Sequence, residues 1–232
     1  MMLASEPFDA SQPPGLRERK KAEARAAIIR SALELFRKRG YGSVTIDEIA
    51  ERAGVGRRTY FRYFPTKEAV VLDRRVTQLE RFRLALDEAP ESAPILDVLR
   101  QSFVLIAEDY RANRDRIQAE RMLFRSSPDL AARDLAIDRE FEQVIAKTVM
   151  ARSGRSAAAQ RGARFFAAAA MGVVRVLIDE WAEEEGSLDL VKIGNPAFDA
   201  LEALLVEPVP AAARPATAPR KSNAPGSRGA SK

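Results

Sequence analysis

Residues 45–67 read TIDEIAERAGVGRRTYFRYFPTK, and this stretch decides the fold of the chain around it. Thr45 is a favourable N-cap and Glu48 follows three residues later, as the two members of a capping box do. A helix is therefore predicted to start directly after Thr45. Gly54 stands where a helix that ends in the left-handed region takes glycine. Because Pro65 disfavours helical geometry in the residue before it, a second short helix must stop there, and the pattern predicts a helix-turn-helix.

The second helix of this motif, residues 57–64, mixes basic and aromatic side chains. At the helical period, Tyr60 and Phe64 fall on one side of it, which we expect to pack. A helical hairpin with a merely solvated charged face is the alternative. We favour a binding face, because a capping box, a glycine turn and a basic aromatic helix coincide in one short window. The side chains expected on that face are Arg58, Thr59, Arg62 and Tyr63.

Residues 26–72, with LELFRKRGYGSVTIDEIAERAGVGRRTYFRYFPTKEAVVL at their end, resemble the DNA-binding domain of TetR-family transcriptional regulators. This resemblance covers about the first third of the chain. It implies a small helical DNA-binding domain, followed by a larger helical domain that dimerises and binds a small-molecule inducer. The operator contacts that it implies fall on Thr45, Arg57, Arg58, Thr59, Tyr63 and Lys67.

Two of these contacts are expected to read bases. Arg57 and Arg58 are the candidates, since arginine pairs bidentately with guanine, while Thr59 reaches a base or a phosphate. The other implied contacts, at Thr45, Tyr63 and Lys67, are expected to position the protein on phosphates.

The sequence departs from the family pattern at two positions. Gly56 stands where many members have a Ser or Thr cap, and Phe61 stands where most have a tyrosine. A phosphate contact through that tyrosine hydroxyl is therefore missing. Tyr60 and Tyr63 are the candidates to supply it.

Composition narrows the possible functions. The 232 residues include no histidine and no cysteine, which removes the commonest zinc ligands, the usual imidazole base and the thiol nucleophile. We therefore expect neither an enzyme nor a metal or other cofactor. Fourteen Lys and Arg residues lie within residues 1–67, and residues 208–232 carry five and no acid, whereas the middle of the chain is acidic overall. A basic head on an acidic body predicts phosphate binding by one end, although such segregation also arises on plain solvated surfaces.

The chain is predicted to be all-α, because no alternating pattern or hairpin turn is present. We divide it into a disordered N-terminus at 1–15, the helix-turn-helix domain at 16–66, a ligand-binding and dimerisation domain at 67–207, and a disordered basic tail at 208–232. The first helix opens with a basic segment that either lies along DNA or is merely a soluble helix start. Its members are Arg17, Arg19, Lys20 and Lys21.

The last two predicted helices are apolar over a wide arc and need partners on several sides. They either pair with their symmetry mates in a homodimer, as the resemblance implies, or complete the core of a monomer. No stretch is long and apolar enough to span a membrane, and neither a membrane nor export is expected, so the predicted location is the cytoplasm.

A ligand pocket is predicted between the central helices. Residues 111–125 carry five arginines against Asp115 and Glu120, which suits an anionic head group. Residues 126–143, SSPDLAARDLAIDREFEQ, together with the helices after them, resemble a TetR subgroup that includes the mycofactocin-type regulator and acyl-CoA-responsive members. Candidate lining residues, each of which also fits an ordinary core, are Phe103, Ile106, Met122, Leu123, Phe141, Val144, Phe165 and Ala169.

The function predicted from these features is a ligand-responsive DNA-binding repressor. A small hydrophobic or acyl-CoA-like effector would release it from a palindromic double-stranded DNA operator. The main alternative is an architectural protein that binds DNA without reading bases. A helical enzyme using carboxylates such as Asp109 or Glu180 is disfavoured by the missing histidine and cysteine.

Overall fold

The structure is a computed structural model that describes residues 15–153 and 156–206. Over these residues every regular element is a helix, which confirms the all-α prediction. The segments 1–14 and 208–232, for which disorder is predicted, lie outside the described residues. The helices are α1 (Leu16–Arg39), α2 (Ile46–Arg52), α3 (Arg57–Tyr63), α4 (Lys67–Glu88), α5 (Ile95–Ala112), α6 (Arg114–Ser126), α7 (Pro128–Ser153), α8 (Ala157–Glu183) and α9 (Leu190–Val206).

A small core holds α1, α2 and α3 together and is closed by the first turns of α4. Ile28, Phe36 and Ile49 are almost fully buried in it. Leu123 of α6 and Leu130 of α7 complete the same cluster from the far side. The small core therefore extends past residue 66, and the domain boundary placed there stays a prediction.

A large core lies between α4, α5, α7, α8 and α9. The α8 helix packs on α7 and α9, and α9 packs on α5. Trp181 is the largest buried side chain, and its ring meets that of Tyr110 edge-on at 5.0 Å between centroids. Because α4 contributes Val70 and Val71 to the small core and Leu79 to the large one, a single continuous helix joins the two.

The last helix begins earlier than the sequence predicts. An opening at residues 195–196 is expected from the Asn-Pro pair, but α9 starts at Leu190 and contains Pro196 in its interior. The Asp189 carboxylate accepts from the backbone N–H groups of Val191 and Lys192, at 3.0 and 3.3 Å, and so caps the start. Such capping by Asp is the ordinary signal of a helix N-terminus.

Gly194 sets how closely α9 approaches α5. A Cβ atom at this position would lie 2.2 Å from Cε1 of Phe103. No other residue fits without moving the ring, since real contacts are never so short.

Among the helices that the structure describes, none has the length and apolarity needed to cross a membrane.

Candidate DNA-binding surface and ligand cavity

The start of α2 is fixed by the predicted capping box. The Glu48 backbone N–H donates to Thr45 Oγ1 at 3.3 Å, and the Thr45 backbone N–H donates to Glu48 Oε2 at 2.8 Å. Arg39 donates to the other Glu48 carboxylate oxygen at 2.6 Å. The bond from the Thr45 backbone, followed by that from Arg39, lowers the pKa of Glu48 to about 2. The capping box is thus confirmed and stays charged at neutral pH.

The turn and the packed side of α3 also follow the prediction. Gly54 adopts φ +67°, a left-handed conformation in which glycine is free of Cβ strain. Tyr60 and Phe64 are almost fully buried, with ring centroids 6.1 Å apart. The Tyr60 hydroxyl donates to the Thr66 carbonyl at 3.3 Å, and burial raises the pKa of Tyr60 to about 12. The prediction that Tyr60 contacts DNA is therefore wrong, because its hydroxyl faces the small core.

The outer side of α3 presents the basic face that the helical period predicts. Arg57 pairs with Asp47 of α2 and lies over the Phe61 ring, 5.4 Å from its centroid. Arg62 covers the Tyr63 ring at 5.0 Å. Arg58 is exposed and has no charged partner within the described residues. We call these outward residues of α3, namely Arg57, Arg58, Thr59, Phe61, Arg62 and Tyr63, the reading face.

Two of the predicted phosphate contacts already have partners inside the protein. The Thr45 hydroxyl serves the capping box as both donor and acceptor. The Lys67 ammonium donates to the carbonyls of Tyr41 and Val44, at 2.8 and 2.9 Å, and lies 4.3 Å from the Tyr41 ring centroid. Lys67 thus ties α4 to the α1–α2 connection. One of its three N–H groups is left for a phosphate, so this contact stays a prediction.

The basic segment at the start of α1 is helical and exposed. Its residues form the first turns of α1 rather than an extended arm, and Lys21 lies 3.7 Å from Glu18. A contact of this segment with DNA stays a prediction. The exposed basic side chains are Arg17, Arg19, Lys20 and Lys21.

A cavity of about 590 Å³ lies in the body between α4, α5, α7 and α8. This volume suits a small-molecule ligand. Most of its wall is apolar, and one side carries five arginines and three aspartates. The apolar side chains include Phe82, Leu99, Phe103, Ile106, Phe141, Ile145, Met171, Val174 and Phe198.

Three of the eight predicted lining residues, Phe103, Ile106 and Phe141, line this cavity. Their contact with a ligand stays a prediction.

The other five predicted lining residues do not line the cavity, because apolar character alone did not show which way each side chain points. The predictions for Met122 and Phe165 are wrong, since these side chains are 65 and 73% exposed. Leu123 belongs to the small core instead. Val144 and Ala169 pack against the large core outside the cavity wall.

The charged side of the cavity is built on α4 and α7. Arg75 is buried and pairs with Asp134 at 2.9 Å and with Asp138, both one turn apart on α7. Burial raises the pKa of Asp138 above its ordinary value, although Arg75 opposes the shift. The sequence indicates this buried charge. The two aspartates lie on the same face of α7 as Phe141 and Ile145, and on that face apolar residues are expected.

Arg121 on α6 also lies in this wall. It donates to Asp179 of α8 at 2.8 Å, while its Nε is buried and makes no hydrogen bond with the described residues. Arg125, one turn later, is exposed and has no charged partner there. The wall can therefore accept an anion beside these two arginines.

A second charged cluster joins the body to the small core. Arg74 of α4 donates to Glu120 at 2.8 Å and to Asp109 at 3.1 Å. Arg116 donates to the same Glu120 and lies 3.7 Å from Asp73.

The same cluster continues to α3. Asp73 pairs with Arg25 of α1, and Arg25 lies 5.6 Å from the ring centroid of Phe64, which ends α3. Together with Arg74 in the cavity wall, these residues form a contiguous chain of contacts between the cavity and the end of α3. No group of three or more potential metal ligands occurs in the described part of the chain.

Within the described residues, an all-helical fold with a basic helix-turn-helix at one end and an apolar cavity in its body places the protein among the helix-turn-helix proteins. Residues 28–73 match the family model described as bacterial regulatory proteins, tetR family, and residues 93–206 match the MftR C-terminal domain. The chain belongs to the TetR family of transcriptional regulators.

Known relatives share most of this length. The HTH-type transcriptional regulator TcmR of Streptomyces glaucescens is 33% identical over 72% of this chain and 77% of its own. MftR of Mycobacterium tuberculosis, named for mycofactocin biosynthesis, is 28% identical over 74% of this chain and 86% of its own. Among solved structures, FadR of Bacillus subtilis in complex with stearoyl-CoA is similar in fold, with a TM-score of 0.52 and 19% identity over 76% of this chain and 96% of its own.

Proposed function

We propose that this protein is a cytoplasmic, homodimeric repressor that an anionic amphiphile releases from a palindromic DNA operator. The single observation that carries the proposal is the combination of an exposed basic reading face with an apolar cavity whose wall holds arginines. The family supports the class of protein, since its members are transcriptional regulators. The palindromic operator, the anionic effector and the homodimer go beyond the family assignment and are our own proposals.

Operator reading is assigned to the reading face. Arg57 stands at the first turn of α3, where a recognition helix contacts base edges. Arg58 and Arg62 are exposed beside it, and arginine is suited to both guanine edges and phosphates. Tyr63 and Thr59 are half-buried at the border of the face and contact the DNA backbone.

Dimerisation supplies the second reading face that a palindrome requires. On α8, Phe165 and Val176 are 73 and 57% exposed, and they lie on one side of the helix three turns apart. Between them stand the small residues Ala169 and Gly172, over which a second helix can approach closely. Exposed apolar side chains in this arrangement favour a helix-to-helix contact with a second copy.

The effector is proposed from the composition of the cavity wall. A chamber of about 590 Å³ lined by phenylalanine, leucine and isoleucine side chains fits an acyl chain. Arg121 and Arg125 at its charged side fit the anionic end, because Arg121 has an unused buried N–H group. The stearoyl-CoA bound to Bacillus subtilis FadR, a protein similar in fold, supports this class of ligand.

To act as an effector, the ligand must bind the DNA-binding and released forms unequally. The α4 helix is the element through which this difference passes, since it carries Arg74 and Arg75 in the cavity wall and Val70 and Val71 in the small core. A ligand head group that draws Arg121 away from Asp179 shifts α6, whose Glu120 binds Arg74 of α4. The altered α4 then changes the spacing of the two reading faces.

The experiment that tests this proposal has two stages. Selection of duplexes from a random pool, at stated salt, should yield one palindromic sequence. Stearoyl-CoA should then raise the thermal unfolding midpoint by about 5 to 10 °C at one hundred times its dissociation constant and release the selected duplex. Arg121→Ala should weaken both effects, whereas Arg83→Ala, which removes an exposed arginine on α4, should not. Stabilisation by cationic drugs alone would refute the effector class.

A further inference from the structure

A carboxylate stands on the reading face beside the arginine that begins α3. Arg57 Nη1 donates to Asp47 Oδ1 at 2.6 Å, and the guanidinium also lies over the Phe61 ring at 5.4 Å. Asp47 comes from the first turn of α2, so the N-terminal ends of both helices of the motif meet at this pair. In a docked helix-turn-helix these ends are the parts nearest to DNA.

Folding stability does not account for this pair. Both side chains are about 60% exposed, at 62% for Arg57 and 61% for Asp47, and exposed ion pairs contribute little to stability. A carboxylate on a DNA-facing surface also repels phosphates and therefore weakens binding to any duplex. Asp47 also lies in the first turn of α2, where an acid stabilises the helix N-terminus. That role does not require a pairing with Arg57, so the pair itself points to an effect of Asp47 on Arg57.

The pair leaves Arg57 in a different condition from its neighbours. The guanidinium is paired with a carboxylate and also lies over an aromatic ring, so its direction is restricted before DNA binds. Arg58 is exposed with no charged partner within the described residues and is free to follow a phosphate. A long side chain that is already ordered loses less conformational entropy when it binds.

We propose that Asp47 is a positioning residue for DNA recognition. It aims Arg57 at a base edge, and it prevents Arg57 from serving as a general phosphate contact. Asp47 thereby lowers affinity for unrelated DNA more than it lowers affinity for the operator, which raises specificity. This inference rests on the proposed function, because it assumes that the reading face binds an operator.

The test compares Asp47→Asn with Glu51→Gln, a variant that removes one exposed acid from the same helix without touching an ion pair. Binding to the selected operator and to a scrambled duplex is measured at several salt concentrations. In Asp47→Asn we expect the ratio of the two affinities to fall about tenfold. The salt dependence on scrambled DNA should steepen by about one phosphate contact as Arg57 turns to the backbone.

A double-mutant cycle separates positioning from simple charge. In the Arg57→Ala background, Asp47→Asn should change both affinities no more than Glu51→Gln does. Equal effects of Asp47→Asn and Glu51→Gln in the native background would overturn the inference and leave the proposed function intact. Failure to select any preferred duplex would instead refute the proposed function. Circular dichroism at the assay temperature establishes that each variant is folded.

Discussion

At the scale of single residues, Glu48 both marks the start of α2 in the sequence and stabilises that start through its charge. It closes the capping box with Thr45 and binds Arg39, and these bonds lower the pKa of Glu48 to about 2. A carboxyl whose pKa is lowered by folding stabilises the folded state above its ordinary pKa of 4.5. This contribution is lost as the pH falls toward 2.

We therefore expect Glu48→Gln to unfold at a lower denaturant concentration than the native protein at pH 7, and the gap to narrow between pH 4.5 and pH 3. The amide keeps the capping geometry but not the charge, so the pH-dependent part isolates the carboxylate. Urea unfolding followed by circular dichroism measures it. Glu51→Gln serves as control and should show no such narrowing. A gap of constant size at both pH values would contradict the assignment.

The sequence predicted the local backbone geometry of the helix-turn-helix well, but it predicted the directions of the side chains less well. The capping box and the burial of Phe64 follow from spacing alone. The inward hydrogen bonds of Lys67 depend on where the α1–α2 connection lies in space, which no local pattern contains. The same holds for Met122, whose apolar character indicates burial although α6 turns it outward.

At the scale of elements, α4 connects the two cores and carries the buried charges. Arg74 binds Glu120 and Asp109, while Arg75 binds the acids of α7. Removing Arg75 would leave the partly buried Asp134 and Asp138 without the cation that pairs with both. Arg75 lies on the same helical stripe of α4 as Leu72, Leu79 and Phe82, but the sequence does not show which acids pair with the arginines of α4, because these partners are 35 to 63 residues away.

Asp73 of α4 forms ion pairs with residues of both α1 and α6. We expect Asp73→Asn to bind the operator within about threefold of the native protein but to need about threefold or more effector for half-release, because couplings of this kind are about 0.5–2 kcal/mol. The change breaks the ion pairs with Arg25 and Arg116. Competition titrations on a labelled operator measure both quantities.

The matched control is Glu80→Gln, which neutralises an exposed acid on the same helix and should leave the effector response unchanged. If Asp73→Asn responded like this control, the contact chain through Arg25 would not transmit the signal.

At the scale of the whole molecule, the proposed dimer contact lies on the outward face of α8. We expect Phe165→Asp together with Val176→Asp to give a particle with the mass of one chain, 25.6 kDa, in analytical ultracentrifugation. A charge on each side of a two-fold contact is repelled by its own copy. Operator affinity should fall about 100-fold, because the second half-site contact is no longer intramolecular.

Leu84→Asp, which alters an equally exposed apolar residue of α4, should leave the mass and the affinity unchanged. An unaltered mass in the α8 double variant would place the dimer contact elsewhere.

The small core has a practical consequence for protein engineering. Leu123 and Leu130 fill it from α6 and α7, which lie within the residues that match the MftR C-terminal domain. A chimeric regulator made by grafting residues 16–66 onto a foreign sensor would expose the apolar surface that these two leucines cover. A graft that also transfers the first turns of α4, with Val70 and Val71, together with α6 and the first turns of α7 keeps the small core covered. The transplantable unit is therefore discontinuous along the chain.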